Sequence, residues 1–305
     1  MPPAPPVVLT IAGFDPSSGA GITADIKVIA AHECYGVACA TALTVQSTRG
    51  VRLVQAVDAK IIAETLAELA SDFAIEAVHI GMLGNGKVAL AVADFLAQTK
   101  LPHVVLDPIL KSSSGADLLD PAGTRVVMER LFPLAELVTP NLDEAIALTG
   151  ATGIPPSDNA AAPGAPGTSS SAASLDAMRE AARRLHSFGA ANVVVTGGHL
   201  EKAIDLLSFT TARGIEEEVF KAQRQRSTST HGTGCAFSTA LACHLALGRG
   251  LPEAVLLAKA YVVAAIANAQ PLGHGAGPLH HLFRLHEQRR ASAVVSETEH
   301  VHSRN

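Results

Sequence analysis

Tryptophan is absent from the 305 residues and aromatic residues make up only 4% of them, so a core here must be packed mainly with Ala, Leu and Val. Positive charge is also scarce. A formal net charge of -5 gives phosphates no long-range attraction, which excludes a general nucleic-acid binder and makes any phosphate site local. The only cysteines are Cys34, Cys39, Cys235 and Cys243, with no CxxC pair and no zinc spacing, and a reducing cytoplasm is the simple reading. The proline-rich start lacks the basic opening of a secretory signal. No apolar run is long enough for a membrane span: residues 254–269 come nearest and are interrupted by Lys259. A complete Walker A loop is missing too. Gly81 to Lys87 almost spells one, but Val88 stands where Mg²⁺ needs a hydroxyl.

What is present is alternation. Continuous apolar runs at 7–12, 37–45, 77–80, 104–106 and 137–139 predict strands covered on both faces. Amphipathic stretches at 20–32, 59–73, 87–98 and 122–131 predict the helices between them. Such alternation implies right-handed crossovers and a mainly parallel sheet. Residues 151–174, rich in Ala, Pro, Gly and Ser, read as a surface insertion without regular structure. Afterwards the pattern resumes, with helices at 175–188, 235–247 and 252–268 and strands at 193–196, 204–209 and 217–222. The reading is one domain over 1–288, with a frayed tail at 289–305.

Ligands of open parallel sheets bind beyond the C-terminal strand ends, and the candidate motifs fall there. Gly13, Gly19 and Gly21 permit close backbone approach between the first strand and its helix. Asp25, one turn into that helix, is either a carboxylate facing the site or one placed to suit the helix dipole. Gly232, Thr233, Gly234 and Cys235 precede a helix, where free backbone N–H groups and the dipole favour an anion. The Thr233 hydroxyl adds a donor, and Cys235 in the first turn is expected to have a lowered pKa. Asn141 and Glu144 share a helical face and either organise a hydrated Mg²⁺ or form a capping box. Lys259, alone on an apolar helix, either snorkels to water or reaches a phosphate.

In their number and order these motifs resemble the hydroxymethylpyrimidine and phosphomethylpyrimidine kinases. The matching pieces run from Ile11-Ala12-Gly13 through Gln46, Ile80-Gly81-Met82-Leu83, Leu106-Asp107-Pro108 and Thr139-Pro140-Asn141 to Gly197-Gly198-His199 and Thr230-His231-Gly232-Thr233-Gly234-Cys235. The resemblance implies a ribokinase-like three-layer αβα sandwich and an ATP- and Mg²⁺-dependent kinase of thiamin biosynthesis. It would phosphorylate 4-amino-5-hydroxymethyl-2-methylpyrimidine and then its monophosphate, as a cytoplasmic protein and a homodimer. By the same resemblance Gly13, Asp25, Gln46 and Met82 would hold the pyrimidine. Asp107, Asn141 and Glu144 would arrange Mg²⁺ and ATP, with Thr196 and Lys259 beside the nucleotide. Gly232, Thr233 and Gly234 would form the anion hole, with Cys235 as the catalytic residue. One departure is Thr196, where many relatives carry Lys. A pyridoxal kinase of the same superfamily and a non-catalytic pyrimidine sensor are the alternatives; Gln46 speaks for the pyrimidine.

Overall fold

The computed structural model describes residues 3–150, 171–198, 203–225 and 227–285. Nine strands form one sheet: β1 (Val7–Phe14), β2 (Tyr35–Ser47), β3 (Gly50–Ala56), β4 (Ile75–Ile80), β5 (Val104–Leu106), β6 (Leu137–Val138), β7 (Asn192–Gly197), β8 (Ala203–Thr211) and β9 (Gly214–Ala222). Their order is β3-β2-β1-β4-β5-β6-β7-β8-β9. From β2 to β7 every neighbouring pair is parallel, and β3, β8 and β9 extend the edges antiparallel. The long apolar runs are explained by this placement: β1 is buried at six consecutive positions because helices cover both faces.

One layer holds α2 (Ala59–Asp72), α3 (Gly86–Thr99), α4 (Pro121–Val126), α5 (Leu142–Thr149) and α6 (Ser171–Ser187), and its core includes Leu66, Val92, Leu131 and Met178. The opposite layer holds α1 (Gly21–Ala31), α7 (Thr233–Ala246) and α8 (Leu251–Ala267), packed through Ile29, Leu241 and Tyr261. This is the ribokinase-like three-layer sandwich expected.

Local chemistry sets the boundaries. Asn85 caps α3 by accepting from Val88 N at 3.0 Å, so the Walker-like loop ends in an ordinary helix cap, with Lys87 exposed. Helix α4 runs into a π-turn at Val127–Leu131. Strand β3 was not expected, and α6 begins at Ser171 rather than at 175. Residues 151–170 of the insertion and the 289–305 tail lie outside the described residues. Between β1 and β4 the chain reverses its direction of sheet growth, leaving a crevice at the C-terminal strand ends.

Candidate active site

That crevice is a cleft of about 530 Å³, lined at the ends of β1, β4, β5, β6 and β7 by Gly13, Met82, Asp107, Thr139 and Thr196. Two glycine-rich loops form one wall and interlock by backbone. Gly21 has φ +59° and Gly232 φ +81°; a Cβ on the first would collide with Gly13 O, and on the second with Gly19 O. Only glycine fits either position. Asp15 organises the first loop, its carboxylate accepting from Ser17 N at 2.8 Å, Ser17 Oγ at 2.7 Å and Ala20 N at 3.0 Å.

Gly232 is the N-cap of α7 and offers no side-chain cap. The backbone N–H groups of Gly234 and Cys235 fall within the first turn, where no intrahelical acceptor exists, so the helix start presents a local positive end to the cleft. Thr233 contributes less than expected: its hydroxyl already donates to Thr230 O at 2.7 Å.

Facing this start are carboxylates. Among the described residues, Asp15, Asp107, Asp143 and Glu144 line the cleft, against Lys111 as its single lysine or arginine. Burial pushes Asp107 up to about 6, with nearby His79 and a hydrogen bond from Ser238 opposing the shift. Glu144 is pushed up to about 8, first by burial and then by the charge of Asp107. Asn141 and Glu144 do form a capping box, with Asn141 N donating to Glu144 Oε2 at 3.0 Å and Glu144 N donating to Asn141 Oδ1 at 2.9 Å. The cap aims Glu144 at the cleft, so the two readings of this pair are compatible.

Cys235 reverses an expectation. Burial, and then the charges of Asp107, Asp25 and Glu144, raise its thiol well above the usual value, although Gly21 N–H donates to the sulfur. The group is a thiol, not a thiolate. Asp25 is corrected as well. It is fully buried and absent from the cleft lining; Thr10 Oγ1 donates to it at 2.7 Å and Thr239 Oγ1 at 2.9 Å, with His79 Nδ1 3.4 Å away. Both its oxygens serve the packing of α1 against β1 and α7. Lys259 likewise stays out of the cleft, donating to Asp205 Oδ2 at 2.6 Å while Asp205 Oδ1 accepts from Gly197 N at 3.1 Å. It braces the end of β7 beneath Thr196.

Gln46 and Met82 line the far end of the cleft with Gly13, where a Cβ would lie 2.8 Å from Met82 Sδ. Two residues there were not singled out as binding residues from sequence. His231 Nε2 lies 2.9 Å from Asp15 Oδ2 and 3.1 Å from the Gln46 amide. Hydrogen bonds from His231 and Ser17 outweigh burial, which acts the other way, and hold the Asp15 carboxyl below its ordinary value. The two partners are 216 positions apart, so no local spacing could reveal them. His199 lies outside the described residues.

A parallel-sheet crevice with an anion-binding helix start facing buried carboxylates defines a ribokinase-like phosphotransferase. The profile of the phosphomethylpyrimidine kinase family matches residues 15–165 and 167–280. The chain belongs to that family. It is 38% identical to the hydroxymethylpyrimidine/phosphomethylpyrimidine kinase of Streptomyces coelicolor, over 94% of this chain and 98% of the relative. It is 41% identical to the thiamine biosynthesis bifunctional protein ThiED of Geobacter sulfurreducens, over 92% of this chain but only 53% of that longer protein. Among solved structures, an ADP complex of Bacillus subtilis pyridoxal kinase is similar at a TM-score of 0.76 and 31% identity, covering 92% of this chain and all of that one. The phosphomethylpyrimidine kinase of Clostridium difficile 630 is similar at 0.69 and 32%, covering 86% and 99%.

Proposed function

We propose that the chain transfers the γ-phosphoryl group of ATP to the hydroxymethyl oxygen of 4-amino-5-hydroxymethyl-2-methylpyrimidine, and in a second turnover to the resulting monophosphate. The observation that carries this reading is that the α7 start, the Asp107/Glu144 pair and the Gln46/Met82 pocket share one cleft. The backbone amides of Gly234 and Cys235 neutralise charge on the transferring group, which a loose phosphoryl transition state needs more than proton removal. Gly13 lets the ring lie against backbone, Met82 packs on its face, and Gln46 reads its edge. Thr196, at the end of β7 beside Asn141, borders the nucleotide half.

The cleft chemistry fits Mg²⁺. Among the described residues, four carboxylates against one lysine would repel a triphosphate, and Asp107 and Glu144 already show raised proton affinity. Among the described residues no group of three or more His, Cys, Asp or Glu is arranged to hold an ion. This suits a hydrated Mg²⁺ held by one or two carboxylates plus phosphates, not a protein cage. Asp107, Asn141 and Glu144 would hold it, through water where needed. Bound there, the ion supplies charge neutralisation at the phosphates.

A cytoplasmic setting accords with the free cysteines Cys34, Cys39, Cys235 and Cys243, and among the described residues no helix is long and apolar enough to cross a membrane. Pyridoxal phosphorylation is the second reading, favoured by the similarity to the pyridoxal kinase structure. A coupled assay of ADP release with the hydroxymethylpyrimidine, its monophosphate and pyridoxal separates the two. Turnover of both pyrimidines is expected; turnover of pyridoxal alone would reject the pyrimidine assignment, and binding without ADP release would make the protein a sensor.

A further inference from the structure

We infer that Thr48 is a positioning residue of the phosphoryl-transfer site: it pins a glycine-rich strap, residues 270–278, that backs the loop leading into the anion hole. The inference rests on the reading of Gly232 to Gly234 as that hole. The strap leaves the end of α8 and turns back alongside it, where His280 N donates to Ala265 O at 3.1 Å.

Behind the anion loop the two segments meet repeatedly. Gly277 N donates to Thr228 O at 3.0 Å, His231 N donates to Gly277 O at 3.0 Å, and Ser229 Oγ donates to Gln270 O at 3.3 Å. His231 also pairs with Pro278 as a parallel bridge. Ser229 is buried, and a Cβ on Gly277 would lie 2.8 Å from its Oγ, so a side chain there would push the strap away. The backbone of His231 is thus fixed from the strap. The next residue is Gly232, whose φ of +81° starts α7. Where the strap lies therefore helps to set where the Gly234 and Cys235 N–H groups point.

The strap has little stiffness of its own. Three of the five residues 273–277 are glycine, with the freest of backbones, and residues 271–275 are exposed. Thr48 supplies the hold. Its Oγ1 accepts from His274 N at 3.2 Å and from Gly275 N at 3.2 Å. Gly273 and Gly275 press against the same residue: a Cβ on the first would collide with Thr48 Oγ1, and on the second with Thr48 O. Thr48 lies just past the end of β2, two residues beyond Gln46, and stands outside the cleft lining. One hydroxyl thereby joins the wall that carries Gln46 to the loop that starts the anion hole. Amides aimed in advance stabilise charge as it develops, so a loosened strap should cost turnover more than substrate binding.

Thr48→Val keeps the shape of the side chain and removes the acceptor, whereas Thr48→Ser keeps the acceptor. The first arm is hydrogen exchange of the ligand-free protein, read by mass spectrometry. Residues 228–234 should exchange about tenfold faster in Thr48→Val than in the parent, the scale of the two hydrogen bonds lost, and at the parental rate in Thr48→Ser. Unchanged exchange in Thr48→Val overturns the inference. The second arm is steady-state turnover of the hydroxymethylpyrimidine with ATP and Mg²⁺, per folded molecule. In Thr48→Val kcat should fall about tenfold with KM for the pyrimidine within about twofold of the parent, and Thr48→Ser should recover it. A raised KM with kcat untouched, or a loss that Thr48→Ser does not rescue, would also sink the positioning role. Gly275→Ala pushes the strap off Thr48 from the other side and should reproduce both results if Thr48→Val does not fold. If the parent turns over no pyrimidine, the substrate reading falls instead, and the exchange arm still decides whether Thr48 holds the anion loop.

Discussion

Two opposing influences meet at Cys235. A helix start lowers a thiol pKa, while burial beside Asp107, Asp25 and Glu144 raises it, and the second prevails. Iodoacetamide should therefore alkylate Cys235 of the ligand-free enzyme more slowly at neutral pH than it alkylates a cysteine peptide, as read by mass spectrometry; faster labelling would contradict the raised pKa. A protonated thiol is a poor base, so Cys235→Ala should cost the alcohol substrate no more than about 10²-fold in kcat, the low end for general acid–base catalysis. The monophosphate, whose nucleophile is already an anion, should lose less, about tenfold at most. Equal losses would refute that division. At this scale the sequence spoke clearly about glycines and poorly about charges. Gly21 and Gly232 are dictated by local backbone, and their motif spacing showed it. For Asp25 and Lys259 the residues alone left both a site role and a structural role open, and only the resemblance put them at the site, because a helix places a side chain on a face without saying what covers that face; Thr239 and Asp205, far along the chain, decided it.

Among elements, α1, α7 and α8 meet in a cluster that catalysis does not use. The rings of His32 and His244 sit 4.9 Å apart edge to face, and His32 and Tyr261 4.5 Å apart. Among the described residues, no hydrogen-bond partner meets the buried nitrogens of His244 or Nε2 of His32 and of His281. Burial is the leading cause of the lowered pKa of all three, with His244 and His281 brought to about 4 and His32 also lowered. The unfolded chain takes up protons as pH falls through the ordinary 6.5, whereas the folded state refuses them until near 4. Stability from this cluster is therefore complete above 6.5 and is lost as pH falls towards 4. His244→Phe keeps an edge-to-face ring and removes a titrating group. It should be neutral or mildly stabilising at pH 7.5, and on the order of 1 kcal/mol more stable than the parent at pH 5, by urea unfolding. An unchanged pH dependence would remove His244 from the acid response. The elements themselves were largely legible, because strands buried on both faces give unbroken apolar runs and helices carry caps such as Asn85. Strand β3 was not, since Val51, Leu53, Val54 and Ala56 do not alternate, and Arg52 and Gln55 interrupt them.

For the molecule as a whole, the sheet order and the cleft follow from alternation and the switch point, but an oligomer does not, because it depends on which strand face is left uncovered. Period-two geometry now answers that for the β2–β3 hairpin. Thr44 and Gln46 of β2 line the cleft, while Leu43 and Val45 point the other way and are 53% and 49% exposed. Val45 pairs with Leu53 of β3, itself 52% exposed, so three large apolar side chains are gathered on an edge of the sheet. Edge strands with an uncovered apolar face are natural pairing surfaces. We expect a homodimer through this hairpin, and Leu53→Lys should halve the mass seen by sedimentation equilibrium. Because the same strand carries Gln46 on its opposite face, monomerisation should also raise KM for the pyrimidine more than it lowers kcat. A parent protein that sediments as a monomer would dispose of the dimer. A Leu53→Lys monomer with unaltered KM would keep the dimer but uncouple it from the cleft.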